Sequence, residues 1–310
     1  MISISRLRKI ARMFNAKGIV MKELLDPKRD SGVFEPHKFS KRLKTESVSV
    51  DGFASVTVWG ENFCGKHVFF LHGGSYVSEG LVFHRRIVEK LALDYGFRVT
   101  YVDYPLAPEH NAVQTHVVVR RTFDLLRERF SEDDFIIMGD SAGGGLALAF
   151  MQTLVKSDYN PLPKTLVLIS PWLDISMSNP HAFIYEQKDP TLSVAGLLYA
   201  GKRYAGGLDE KDPLVSPIFG DLSRFGRVFV LVGTDELFYP DCHDFFERCR
   251  SAEGTTVELL VFEEMFRDFV MMPIKKSKEA LDLIFCFSTG ASVVGEGGIR
   301  IIGEKTENCQ

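Results

Sequence analysis

Three groups of residues in this 310-residue chain have the types and spacing of a covalent catalytic centre. Gly139-Asp140-Ser141-Ala142-Gly143 follows the apolar run Phe135–Met138 and precedes an apolar helical pattern. A strand that turns sharply into a helix projects one side chain above its sheet, and the strain of that turn demands small neighbours. Gly139, Ala142, Gly143 and Gly144 meet the demand and leave Ser141 as the projected residue. Its Oγ lies at the positive end of the following helix, which favours developing negative charge. Upstream, His72-Gly73-Gly74 reads as a loop of backbone donors that glycine allows close to a substrate. Each donor aimed at a carbonyl oxygen that gains charge contributes about 3–4 kcal/mol to the transition state. Gly73 and Gly74 from this loop, with Ala142 after the nucleophile, are the expected oxyanion donors. His72, at the strand end, is read as a loop brace.

Asp235 stands downstream where the acid of a serine triad belongs, and the base should follow in the segment Glu264–Phe269. The residue at that point is Arg267. A general base must take a proton from serine and return it to the leaving alcohol, so its pKa should lie near neutrality. Arginine stays protonated and has no acceptor lone pair, which rules it out as a base. Beside Asp235 it is expected to form a carboxylate–guanidinium ion pair. The eight histidines are His37, His67, His72, His84, His110, His116, His181 and His243. Of these, His243, eight residues after Asp235, and His181, in an inserted segment, are the two weighed as substitutes.

The elements that must hold these residues follow from the apolar pattern. Short runs at 68–71, 98–102, 135–138, 166–169, 228–232 and 257–261 alternate with helical patterns. That rhythm predicts an α/β fold with a mostly parallel sheet, helices on both faces and a single domain. Residues 1–40 precede the rhythm and 176–216 interrupt it, and together they are expected to form a cap above the carboxyl ends of the strands. The core is then about 41–175 and 217–288, and the glycine-rich stretch 289–310 is expected to be a loosely held tail. Gly295-Glu296-Gly297-Gly298 is no dinucleotide fingerprint, because Arg300 takes its sixth position and no strand–helix pair frames it.

A hydrophobic share of 45% with 25% charged residues is that of a globular protein, and a net charge of −4 gives no electrostatic case for nucleic acid. Five cysteines without a CxxC pair favour reduced thiols and a cytoplasmic location. No apolar run reaches the length of a membrane span, and basic residues interrupt every candidate leader sequence. Ile2, Ile4, Leu7, Ile10, Ala11 and Phe14 form an apolar stripe at helical spacing. The favoured reading packs that helix over the body; the other lays it on an anionic membrane surface. No histidine–carboxylate spacing suggests a metal.

His72–Tyr76, Asp103–His110, Gly139–Gly144, Ser170–Asp174, Asp189–Ser193 and Gly233–Leu237 together closely resemble the hormone-sensitive-lipase family of α/β-hydrolases, also called bacterial esterase family IV. The resemblance covers roughly residues 40 to 288 in order and spacing. It implies a capped α/β-hydrolase that cleaves short- to medium-chain carboxylic esters through an acyl-serine intermediate, without metal or cofactor. It also implies Ser141 as nucleophile, Asp235 as triad acid, Gly73, Gly74 and Ala142 as the oxyanion hole, and histidine where this chain has Arg267. A homodimer through the last strand and helix is a further family trait. Loss of a triad base costs about 10⁶ in turnover, while binding and oxyanion donors alone retain ~10³–10⁴ over water. Three readings therefore stand: a hydrolase of impaired activity, a non-catalytic protein that binds a small apolar ligand or ester in the same fold, and a sequence variant at Arg267.

Overall fold

The computed structural model describes residues 9, 13–29, 32–295 and 297–303. Nine strands form one sheet: β1 (Lys44–Val50), β2 (Phe53–Trp59), β3 (Lys66–Leu71), β4 (Arg98–Val102), β5 (Asp134–Asp140), β6 (Thr165–Ile169), β7 (Gly226–Gly233), β8 (Thr255–Phe262) and β9 (Ile299–Ile302). Their spatial order is β1-β2-β4-β3-β5-β6-β7-β8-β9. The β1–β2 and β2–β4 pairs are antiparallel, and every other pair is parallel. Helices α1 (Ala16–Leu25), α2 (Val82–Asp94), α3 (Ala112–Arg129), α4 (Ala142–Lys156), α5 (Ala182–Glu186), α6 (Val194–Ala205), α7 (Tyr239–Cys249) and α8 (Lys275–Ser288) complete the described elements. The mostly parallel α/β architecture expected from the pattern is the one observed, in the arrangement that the resemblance to α/β-hydrolases implies.

Strand residues alternate between two apolar clusters, one on each face of the sheet. Phe69, Leu71, Phe135, Ile137, Leu166 and Leu168 enter one cluster, whereas Val68, Phe70, Ile136, Met138, Val167 and Ile169 enter the other. A strand buried on both faces needs apolar residues at every position, which is why the central strands read as unbroken runs. The period-two pattern of β1 and β2 differs because β1 lies at the sheet edge with one wet face. Asp51 and Gly52, both at positive φ, turn β1 into β2, as an Asp-Gly hairpin requires.

The inserted segment holds α5 and α6, and α1 lies against α6. A side chain at Gly196 would meet Leu24 and Met21 of α1 at 3.3 Å, so the small residue sets how closely the two helices pack. Lys17 Nζ donates to Glu186 O and ties α1 to the end of α5. Of the N-terminal apolar stripe, Lys9 aside, residues 1–12 lie outside the described residues. Among the described residues no helix is long and apolar enough to cross a membrane.

The tail departs from expectation. Residues 299–302 pair with β8 as a ninth strand, so a part of the stretch read as loosely held is fastened to the sheet. Its alternation is too short to register as a strand by sequence alone, and it becomes one only because β8 presents an open edge.

His116 on α3 joins the inserted segment to the core. Its Nε2–H donates to Leu214 O at 3.0 Å, and its buried Nδ1 has no partner among the described residues. Burial pushes its pKa down to about 4. The folded protein keeps the ring neutral, while the unfolded chain protonates it below about pH 6.5. Its contribution is therefore complete above that value and is lost as pH falls toward 4. His116→Phe should remove up to about 1.4 kcal/mol per pH unit of the wild-type stability loss in that window. Urea unfolding between pH 7 and pH 4.5 measures it, and parallel profiles for the two proteins would contradict the assignment.

Candidate active site

Ser141 occupies the sharp turn between β5 and α4 at φ 51° and ψ −120°. Positive φ at a non-glycine residue is strained and must be held by its surroundings. Its main chain is bound on both sides: the N–H donates to Ile169 O at 2.9 Å, and the carbonyl accepts from Gly144, Gly145 and Trp172. Close packing accounts for the glycines. A Cβ at Gly139 would stand 2.2 Å from Gly143 O, and one at Gly143 would stand 2.0 Å from Leu71 O.

The preceding residue carries as much of the geometry. Asp140 is fully buried. Its Oδ1 accepts from Gly73 N–H at 2.9 Å, and its Oδ2 accepts from His84 Nε2–H at 3.2 Å. Leu81 N–H donates to His84 Nδ1 at 2.8 Å, which assigns the ring proton to Nε2. One carboxylate thus links the elbow, the glycine loop and the start of α2. Sequence reasoning passed over this role, although the acid next to Ser141 and the otherwise unassigned His84 were the available signals.

The glycine loop turns through three successive positive φ values, at Gly74 (132°), Ser75 (54°) and Tyr76 (61°). Gly74 O accepts from Val77 and Ser78 N–H. His72 braces the turn as expected: Nδ1–H donates to Gly73 O at 2.7 Å, and the ring stacks on Tyr104 and Tyr101. Burial pushes its pKa down to about 4, so the ring is neutral near pH 7. Gly73 differs from the expectation. Its N–H is directed at Asp140 and is not available to an oxyanion. Gly74, Ser75 and Ala142 keep N–H groups that make no hydrogen bond among the described residues.

Asp235 and Arg267 lie on two stitched loops. Asp235 N–H donates to Met265 O at 2.9 Å, Thr234 N–H to Phe262 O at 3.0 Å, and Glu264 N–H to Thr234 Oγ1 at 2.9 Å. The ion pair of Arg267 is with Asp268, the next residue; the expectation named Asp235. Burial opposes the guanidinium charge, but Asp268, Asp189, Asp140 and Glu236 hold its pKa above the ordinary value. Burial likewise pushes the Asp268 carboxyl up, and Arg267 draws it back down. The arginine thus pairs with a carboxylate that the fold has largely buried.

Three further residues surround that pair. Glu236 is fully buried and accepts at Oε1 from Gly233 N–H (2.5 Å) and Ser170 Oγ–H (3.1 Å). Burial raises its pKa well above the usual carboxylate range. Ser170 Oγ also accepts from Asp268 N–H at 3.3 Å. Asp189 Oδ2 accepts from Leu237 N–H at 3.3 Å, fastening the inserted segment to the Asp235 loop. Neither substitute histidine joins this group: His181 caps the start of α5, and both His181 and His243 are exposed.

A sharp serine turn at the end of a central parallel strand, faced by a glycine loop, is the hallmark of α/β-hydrolases. Residues 68–271 match the model of the alpha/beta hydrolase fold family, and the chain belongs to that family. It is 32% identical over 226 residues to an esterase of Acinetobacter venetianus, covering 72% of this chain and 74% of that one. An acetyl-hydrolase of Streptomyces hygroscopicus is 32% identical over 65% of this chain and 67% of its own. Among solved structures, EstE5 soaked with p-nitrophenyl butyrate superposes with a TM-score of 0.78 at 25% identity, over 92% of this chain and 97% of that chain. A hormone-sensitive lipase from a metagenome library gives 0.75 at 25% identity, over 90% and 97% of the two chains.

The Arg267–Asp268 pair can be tested apart from chemistry. Removing one partner of a fully buried ion pair costs about 3–5 kcal/mol, and this pair, with 19% and 15% of its side chains exposed, falls at or below the lower end. Arg267→Ala should lose up to about 3 kcal/mol, and adding Asp268→Asn to it should recover at least half of the loss. Urea unfolding of both single variants and the double variant closes the cycle, and additive losses would refute the coupling.

Proposed function

We propose that this chain is a carboxylic-ester hydrolase of the hormone-sensitive-lipase type, with Ser141 as nucleophile and turnover held down by Arg267. The observation that carries the reading is the serine turn, with its main chain bound on both sides and its side chain at the start of α4. The relatives named as esterase and acetyl-hydrolase support the same chemistry. Ser141 Oγ attacks the ester carbonyl carbon, and the carbonyl oxygen takes up negative charge. Gly74, Ser75 and Ala142 N–H are the donors best placed to receive it, since Gly73 N–H is engaged by Asp140. The serine proton passes through a base to the leaving alcohol, and water then releases the acid from the acyl-serine. Asp235 would orient that base.

The missing component is the base. Arg267 stays protonated within a ring of carboxylates. Water is left to accept the serine proton, so nucleophilic attack is slow while the oxyanion donors still act. A second reading, a protein that binds a small apolar ligand or ester without turning it over, is favoured by one observation. Arg267 is paired to a largely buried Asp268, and is therefore part of the packing instead of an isolated substitution.

Hydrolysis of p-nitrophenyl acetate and butyrate by the native protein, Ser141→Ala and Arg267→His separates the readings. The native rate should exceed that of Ser141→Ala, and Arg267→His should raise kcat by at least about 10². Native turnover equal to Arg267→His would show that another base serves Ser141. Native turnover equal to Ser141→Ala would favour the ligand-binding reading.

A further inference from the structure

A cavity of about 250 Å³ opens between α2, the 3₁₀ turn Phe269–Met271 and α8. It takes no part of its lining from Ser141, the glycine loop or the Asp235 loop. Its floor is Ile87 of α2, Val270 and Met271 of the turn, and Leu281 of α8, all buried in the apolar cluster on that face of the sheet. Ser277 is the one neutral polar residue of the wall, and its Oγ–H donates to Phe269 O at 2.6 Å. With that proton committed, the floor offers a ligand mainly apolar contact.

The charged part of the lining has one sign. Arg86, Lys90 and Lys278 contribute to it, and no aspartate or glutamate does. Lys90 pairs with Asp94 and Lys278 with Asp282, each at 2.7 Å and one turn along its own helix. Arg86 is exposed, and among the described residues it makes no ion pair; its guanidinium stands 5.7 Å from the centre of the Phe83 ring. One uncompensated cation beside an apolar cavity complements one anion with an apolar body. The planar fork of arginine can receive both oxygens of a carboxylate at once.

We propose that this cavity binds one amphiphilic carboxylate, a medium-chain fatty-acid anion, with its head on Arg86 and its alkyl chain along Ile87, Met271 and Leu281. Size selects a single chain. A methylene group occupies about the volume of a water molecule, ~30 Å³, so the space holds an alkyl chain of about eight carbons. One turn of an α-helix with its side chains fills about 400 Å³ or more, which excludes a helix as the occupant. Unbranched, flexible Met271 and Met272 suit a tail without fixed shape. An acid of this kind is also what the ester hydrolysis proposed above would release, and the choice of an alkyl carboxylate rests on that reading to this extent.

The experiment titrates octanoate, acetate and octylammonium into full-length protein carrying ¹³C-methyl methionine, with Met271 and Met272 as reporters and Met177 of the inserted segment as the control. Octanoate should shift the Met271 and Met272 methyls saturably, whereas acetate lacks the tail, octylammonium carries the wrong charge, and neither should move them. Arg86→Glu, a change at an exposed residue, should weaken octanoate binding at least about tenfold. Shifts at Met177 without shifts at Met271 and Met272 would place the anion beneath the inserted segment and overturn the proposal. Equal response to octylammonium overturns the charge match, and unchanged affinity in Arg86→Glu overturns the role of that residue. If Arg86→Glu does not fold, the three probes on the native protein decide alone. Binding is read without turnover, so its failure leaves the ester-hydrolase reading standing.

Discussion

The arrangement around Ser141 depends on one enclosed carboxylate. Asp140 has no contact with solvent, and a carboxylate in that position is tolerable only when donors surround it. Gly73 N–H and His84 Nε2–H supply them. Meeting that need places the glycine loop against the elbow and sets the entry of α2. The strain at Ser141 is held by the same closure, because its neighbours on both sides are already bound. The geometry of the serine turn here is a by-product of satisfying buried polar groups.

A second set of acids extends the same logic toward the base position. Glu236 accepts from Ser170, and Ser170 also accepts from the Asp268 backbone. Asp268 itself needs a cation, and Arg267 provides it. A histidine there would be asked both to neutralise Asp268 and to act on Ser141. Arginine answers only the first demand: its fork pairs well with carboxylates and it cannot release a proton at neutral pH. The arginine at residue 267 is therefore part of the charge balance of this region. The tail strand meets a comparable demand at the sheet edge, where backbone groups of β8 need partners.

Much of the fold was legible in the sequence because the central strands are buried on both faces, and the six apolar runs mark six of the nine strands. The hairpin β1–β2 was missed, although Asp51-Gly52 between alternating Ser47–Val50 and Ala54–Val58 carried its signature. The serine turn at Ser141 and the His72 brace were readable, since motif and spacing follow from the sharp turn and the parallel order, whereas the hydrogen bonds that stitch the Asp235 and Arg267 loops were not. By itself the sequence determined the elbow, the α/β class and an arginine at residue 267, all consequences of local residue type. Tertiary structure alone decided that Gly73 serves Asp140, that Arg267 turns to Asp268, and that residues 299–302 become a strand. Each of these depends on which distant group is left unsatisfied once the chain is packed, and no local pattern encodes that.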